Sequence, residues 1–119
     1  MVRPQQYQPD KGDLVWLDFT PHAGTEQGGR RPAVVLSSQR FNIATGLAFV
    51  CPITSQVKGS SFEVVVPRGE KIGGVVLTDN LRSFDWLARN MVFESKAPRD
   101  VVLEVLAKLE AILEFDDLK

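Results

Sequence analysis

The sequence predicts a mainly β protein, a small barrel or strongly twisted sheet completed by a C-terminal amphipathic helix. Three observations carry this expectation. Several short runs rich in β-branched and aromatic residues are separated by Gly, Pro and Asn signals. The first run is apolar on both faces, as a strand in a curled sheet is. From Pro98 onward, apolar residues recur at three- and four-residue steps.

Taken in order, residues 1–10 (MVRPQQYQPD), with two prolines and three glutamines, read as a loose leader to a single domain over 11–119. Asp13 to Phe19 (DLVWLDF) alternates, with Leu14, Trp16 and Asp18 on one side and Val15, Leu17 and Phe19 on the other. Further strands are expected over 31–37, 47–54, 62–66, 74–78 and 87–93, and a short helical turn over 38–44. In the last segment Pro98 suits a first helical turn and Asp100 favours the positive end of the helix. Val102, Val105, Leu106, Leu109, Ile112 and Leu113 then form the apolar stripe. No internal repeat or domain boundary interrupts the chain.

A length of 119 residues, with 44% hydrophobic and 24% charged, suits one globular domain. No run of about 18 apolar residues and no N-terminal charged, apolar, small-residue series is visible, so the expected compartment is the cytoplasm and no membrane partner is expected. The single cysteine, Cys51, has no partner for an intramolecular disulfide, and with the single His22 it makes no His-rich metal site. Neither a metal nor another cofactor is expected. Cys51 reads as a small buried hydrophobe, and Trp16, Trp86 and the run 34–36 as core or dimer interface. The net charge of −1 argues against a strongly basic nucleic-acid binder, yet residues 1–93 carry +2 and residues 94–119 carry −3. A body with a slight basic excess leaves room for a local basic groove.

Two clusters hold the chemically capable residues. In the segment 20–31, Gly24, Gly28 and Gly29 permit close approach of a ligand, Glu26 can accept a proton, and Gln27 can contact a base edge or ribose. Arg31 can grip a phosphate through two hydrogen bonds, and its position before Pro32 and an apolar strand holds it on rigid backbone. In PITSQVKG, residues 52–59, Thr54, Ser55, Gln56, Lys58 and Gly59 stand at a strand end with a composition suited to a phosphate. A solvated hairpin and an ordinary turn account for the same residue types.

The runs GDLVWLDFTPHAGTEQGGRRPAVVLS, CPITSQVKGSSFEVVV and GGVVLTDNLRSFDWLAR together resemble the MazF/PemK family of toxin endoribonucleases, over about residues 11–115. The resemblance implies an SH3-like β-barrel with a C-terminal helix, and a homodimer. It implies sequence-specific, metal-independent cleavage of single-stranded RNA, in which the 2′-hydroxyl attacks to leave a 2′,3′-cyclic phosphate and a 5′-hydroxyl. It also implies a cognate MazE-like antitoxin whose acidic segment wraps the toxin.

Carried onto this chain, the family's catalytic residues fall on Arg31, Thr54 and Glu26. Phe19, Gln27, Gln56 and Lys58 would line the RNA groove, with Phe19 equally readable as a core aromatic. His22 is a competitor for the base role that no family motif matches, and Arg30 adds a second cation near the expected groove. The gyrase-poisoning CcdB toxins resemble the same barrel without cutting RNA, but depend on a Trp-Gly-Ile ending, whereas this chain ends Phe115-Asp116-Asp117-Leu118-Lys119. A catalytically silent barrel is the third reading.

Overall fold

One long central strand organises the architecture. In the computed structural model, which describes residues 6–20, 29–114 and 118, the order is β1 (Asp13–Asp18), β2 (Arg30–Val35), α1 (Gln39–Thr45), β3 (Leu47–Thr54), β4 (Glu63–Val66), β5 (Gly74–Leu77), β6 (Arg82–Asp85), β7 (Val92–Lys96) and α2 (Arg99–Leu113). The strands run β4-β5-β3-β2-β1-β7 across one antiparallel sheet, with β6 also paired to β3. β3 pairs with β2 through Val50–Pro52, while β6 takes Leu47–Val50 and β5 takes Ile53 and Thr54. A strand shared among three neighbours forces the sheet to curl into a half-barrel.

The two-sided apolarity of β1 is realised as two hydrophobic clusters. Leu14 joins Val34, Cys51, Ile53, Val64 and Val76 beneath α2, which contributes Val101, Val105 and Leu109. Val15 and Leu17 join Ala33, Val35, Ala48, Val50, Phe84, Trp86 and Met91, with Phe19 packed at the margin. Asn42, fully buried, ties the second cluster to its surroundings. Its side-chain amide N–H groups donate to the Pro9 and Ser37 carbonyls at 2.9 and 3.1 Å, and its main-chain carbonyl accepts the Trp86 indole N–H at 2.9 Å.

Helix α1 lies one residue later than the expected 38–44. Ser38 caps it, its Oγ accepting from the Phe41 N–H at 3.3 Å, and Gly46 ends it at φ 74°. Of the expected strand over 87–93, residues 87–90 form a turn instead, and only Val92 and Phe93 are strand, at the start of β7. Asp85 accepts from the Leu87 and Ala88 N–H groups at 3.1 and 2.9 Å and Asn90 takes φ 54°, so the chain reverses and strands flank the turn as β6 and β7. Along α2, Ile112 and Leu113 are exposed and Val101 is buried, because the helix runs past the sheet in its last turn.

Of the expected loose leader, the described residues 6–10 are tied down. Gln39 donates to the Gln8 carbonyl at 3.1 Å and Pro9 is buried. Tyr7 donates to the buried Asp13, which also pairs with Lys96 at 2.6 Å. Burial, with Asp13 second, pushes the Tyr7 hydroxyl above its ordinary range, and Asp13 likewise raises Lys96.

Candidate active site

Strand register places the two residues singled out at strand ends side by side. β2 and β3 pair with Ala33 opposite Pro52 and Val34 opposite Cys51. Continuing that register by two residues brings Arg31 level with Thr54, on the same face of the sheet. Two adjoining cavities, of about 360 and 260 Å³, are both bordered by Arg31, Thr54 and Leu77. Arg31 and Thr54 therefore stand at the waist of a single groove.

Thr54 is half-buried and held from two directions. Its Oγ1 accepts from the Gln56 N–H at 3.1 Å, which leaves the hydroxyl proton available to an external acceptor. On its other side β5 approaches so closely that a Cβ at Gly74, where φ is +118°, would overlap the Thr54 carbonyl. Glycine at 74 is thus what allows β5 to pair with the end of β3.

The larger cavity gathers Gln56, Lys58, Glu63 and Asp79 around the Arg31 and Thr54 pair. The smaller one gathers Phe19, Asn80 and Arg82. Phe19 meets Phe84 edge to face with centroids 5.0 Å apart, and the Arg82 guanidinium lies 6.0 Å from the Phe19 ring and 5.1 Å from that of Phe84. Phe19 is packed against the core and also borders the groove.

Arg30 does not share the groove with Arg31. Alternation along β2 turns it toward Asp18, 3.1 Å away, and the Asn90 carbonyl, 2.9 Å away. The Asn90 side-chain amide and then Arg30 hold the Asp18 carboxyl below its usual range. The base of the segment between β1 and β2 is closed by the Phe19 N–H donating to Gly29 and by Arg89 donating to the Phe19 carbonyl at 2.8 Å. Glu26, Gln27 and His22 lie outside the described residues.

Of the expected site, then, Arg31, Thr54, Gln56, Lys58 and Phe19 come together. Asp79, Asn80, Arg82 and Glu63 were not singled out in the sequence, although TDNLR and SSFEV lie inside the motif runs quoted for the resemblance. Cys51 is buried in the core, and burial, with Asp79 second, pushes its thiol up to about 12, as an inert hydrophobe requires. Among the described residues, no group of three or more His, Cys, Asp or Glu is placed to hold a metal ion.

A family model described as PemK-like, MazF-like toxin of type II toxin-antitoxin system matches residues 10–113. The chain belongs to this family. The endoribonuclease toxin MazF of Escherichia coli (strain K12) is 41% identical over 108 residues, spanning 91% of this chain and 96% of that protein. A crystal structure of MazF from Deinococcus radiodurans matches with a TM-score of 0.83 at 53% identity, over 91% of this chain and 98% of that one. A MazE-MazF structure from the same organism matches at 0.81 and 47%, over 91% and 97%. The expected mainly β fold, a twisted antiparallel sheet with a C-terminal helix, agrees with these MazF relatives, and the CcdB reading falls away.

Proposed function

We propose that this MazF-like toxin is a sequence-specific endoribonuclease that cuts single-stranded RNA without a metal, through attack of the RNA's own 2′-hydroxyl on the adjacent phosphate. The observation that carries the reading is the pairing of Arg31 with Thr54 at the waist of an open groove, in a chain of the endoribonuclease family.

Attack builds a pentacoordinate phosphorane with an extra negative charge on its non-bridging oxygens. A guanidinium fixed at a strand start can meet that charge with two parallel hydrogen bonds, and Thr54, its oxygen already occupied by the Gln56 N–H, donates its proton to a non-bridging oxygen. Glu26 takes the 2′-hydroxyl proton as the carboxylate base. The P–O5′ bond breaks as the departing 5′-oxygen takes a proton from solvent water, and the products are a 2′,3′-cyclic phosphate and a 5′-hydroxyl. Lys58 and Gln56 contact the RNA on one side of the waist, Phe19 stacks a base on the other, and Gln27 reads a base edge.

As a toxin, the chain works in the cytoplasm as a homodimer and halts translation until a MazE-like antitoxin covers the groove. The MazE-MazF structure from Deinococcus radiodurans supports such a partner. The test of the chemistry is an RNA oligonucleotide bearing the mapped cut sequence, with a single 2′-O-methyl at the nucleotide before the cut. Cleavage of the unmodified strand only, with 5′-hydroxyl ends, supports 2′-hydroxyl attack. Equal cleavage of both strands refutes it.

A further inference from the structure

Loop 55–60 carries Gln56 and Lys58 into the groove with no ladder of its own. What shapes it is a set of side-chain acceptors. Thr54 fixes its start through the Gln56 N–H, and Ser60 Oγ accepts from the Phe62 N–H at 3.1 Å near its end. Between them, Glu63 uses both carboxylate oxygens. Oε2 accepts from the Lys58 N–H at 3.1 Å and Oε1 from the Gly59 N–H at 3.0 Å.

Two consecutive backbone N–H groups converge on one carboxylate because Gly59 turns the chain at φ +81°. A Cβ there would meet nothing within 4 Å, so the residue is glycine for its backbone conformation and not for space. Glu63 itself is half-buried and set by the ladder, opposite Leu77 on β5.

A carboxylate in a groove built for a polyanion needs a reason. Here its charge is answered locally by two N–H dipoles, and what it provides is the direction in which Lys58 leaves the backbone. We infer that Glu63 is a positioning residue of the RNA groove: it holds the Lys58-Gly59 turn so that the Lys58 ammonium meets an RNA phosphate beside Arg31. This rests on the RNA-cleaving function proposed above. Glu63 acts through the loop and takes no part in proton transfer.

The experiment compares wild type, Glu63→Gln, Lys58→Met and the double variant on a fluorogenic single-stranded RNA carrying the mapped cut sequence, from 50 to 300 mM KCl. Glutamine offers one acceptor and one donor to two N–H donors, so the turn is released without loss of volume. Glu63→Gln should raise KM about 3- to 10-fold with kcat within about twofold, as loss of uniform binding does. The slope of log kcat/KM against log salt should shrink by about 0.7, the share of one phosphate on a single strand. Lys58→Met should do the same, and the double variant should be no worse than Lys58→Met alone.

An unchanged KM and slope in Glu63→Gln, additive losses in the double variant, or a fall in kcat at constant KM would each overturn the inference. A wild-type protein inert toward all RNA would instead overturn the function on which it rests. Should Glu63→Gln not fold, Gly59→Ala strains the same turn at an exposed site and must show the same rise in KM and loss of slope. A wild-type profile there overturns the inference as well.

Discussion

Replacing Gly74 by alanine asks whether Thr54 is held where the chemistry needs it. A Cβ at 74 would lie 2.8 Å from the Thr54 carbonyl carbon and closer still to its oxygen. The oxygen is the tighter contact and real Cβ atoms stay beyond 3.0 Å, so the end of β3 must retreat by about 1 Å or β5 must move away. The backbone at φ +118° adds about 1–3 kcal/mol of strain for a residue with a Cβ. For a domain of this size that corresponds to a fall in Tm of roughly 4–12 °C. Since a displacement of about 1 Å in a catalytic group costs on the order of 10²-fold, cleavage at 25 °C, where the protein remains folded, should drop by about 10- to 100-fold. The neighbouring glycine is the control, because a Cβ at Gly73 meets nothing within 4 Å and its φ is not left-handed. Gly73→Ala should match wild type in both melting and cleavage. The assay is a thermal melt beside initial rates on one RNA. A Gly74→Ala protein that cleaves at the wild-type rate would refute the reasoning.

Other consequences follow from the packing and the charges. Cys51 should resist alkylation in the native protein, reacting only as fast as the chain unfolds, and Cys51→Ala should retain cleavage; rapid labelling of folded protein would contradict its burial. Asp18 has a folded pKa held below its unfolded value of about 3.9, so its contribution is present above that value and is lost as pH falls through the folded one. The Tm gap between wild type and Asp18→Asn should therefore be full at pH 6–7 and close in acid, and a gap independent of pH would refute the linkage. Asn42→Ala strips donors from the buried Pro9 carbonyl and the part-buried Ser37 carbonyl and should cost about 2–4 kcal/mol, read in urea unfolding, with cleavage intact where the protein is folded.

The parts of the fold legible in the sequence are those whose residues face apolar surroundings on a regular period. β1 and β2 alternate into two cores, and Val102, Val105 and Leu109 mark the helix. β6 and all of β7 beyond Val92 and Phe93 were not legible because Arg82, Ser83 and Asp85, and then Glu94, Ser95 and Lys96, present mostly polar faces to a pairing that only tertiary structure supplies. The apolar run around Leu87 drew the expectation instead, although Asp85 and Asn90 together define a turn. Within the site, Arg31 and Thr54 were visible as polar residues at the ends of apolar strands. Asp79, Asn80 and Arg82 reach the same groove through the pairing of β5 and β6 with β3, and no spacing along the chain announces that meeting. The separation of Arg30 from Arg31 was readable in principle, since neighbours on a strand face opposite ways.

The most direct test of the central claim is digestion of a long single-stranded RNA by purified protein in excess EDTA, beside Arg31→Ala and a DNA control, with all new ends mapped by sequencing. The account predicts cuts at one short recurring motif, 5′-hydroxyl ends, untouched DNA, and a loss of about 10²- to 10³-fold in rate for a folded Arg31→Ala. RNA left intact by folded wild-type protein, or cut equally well by Arg31→Ala, would contradict it.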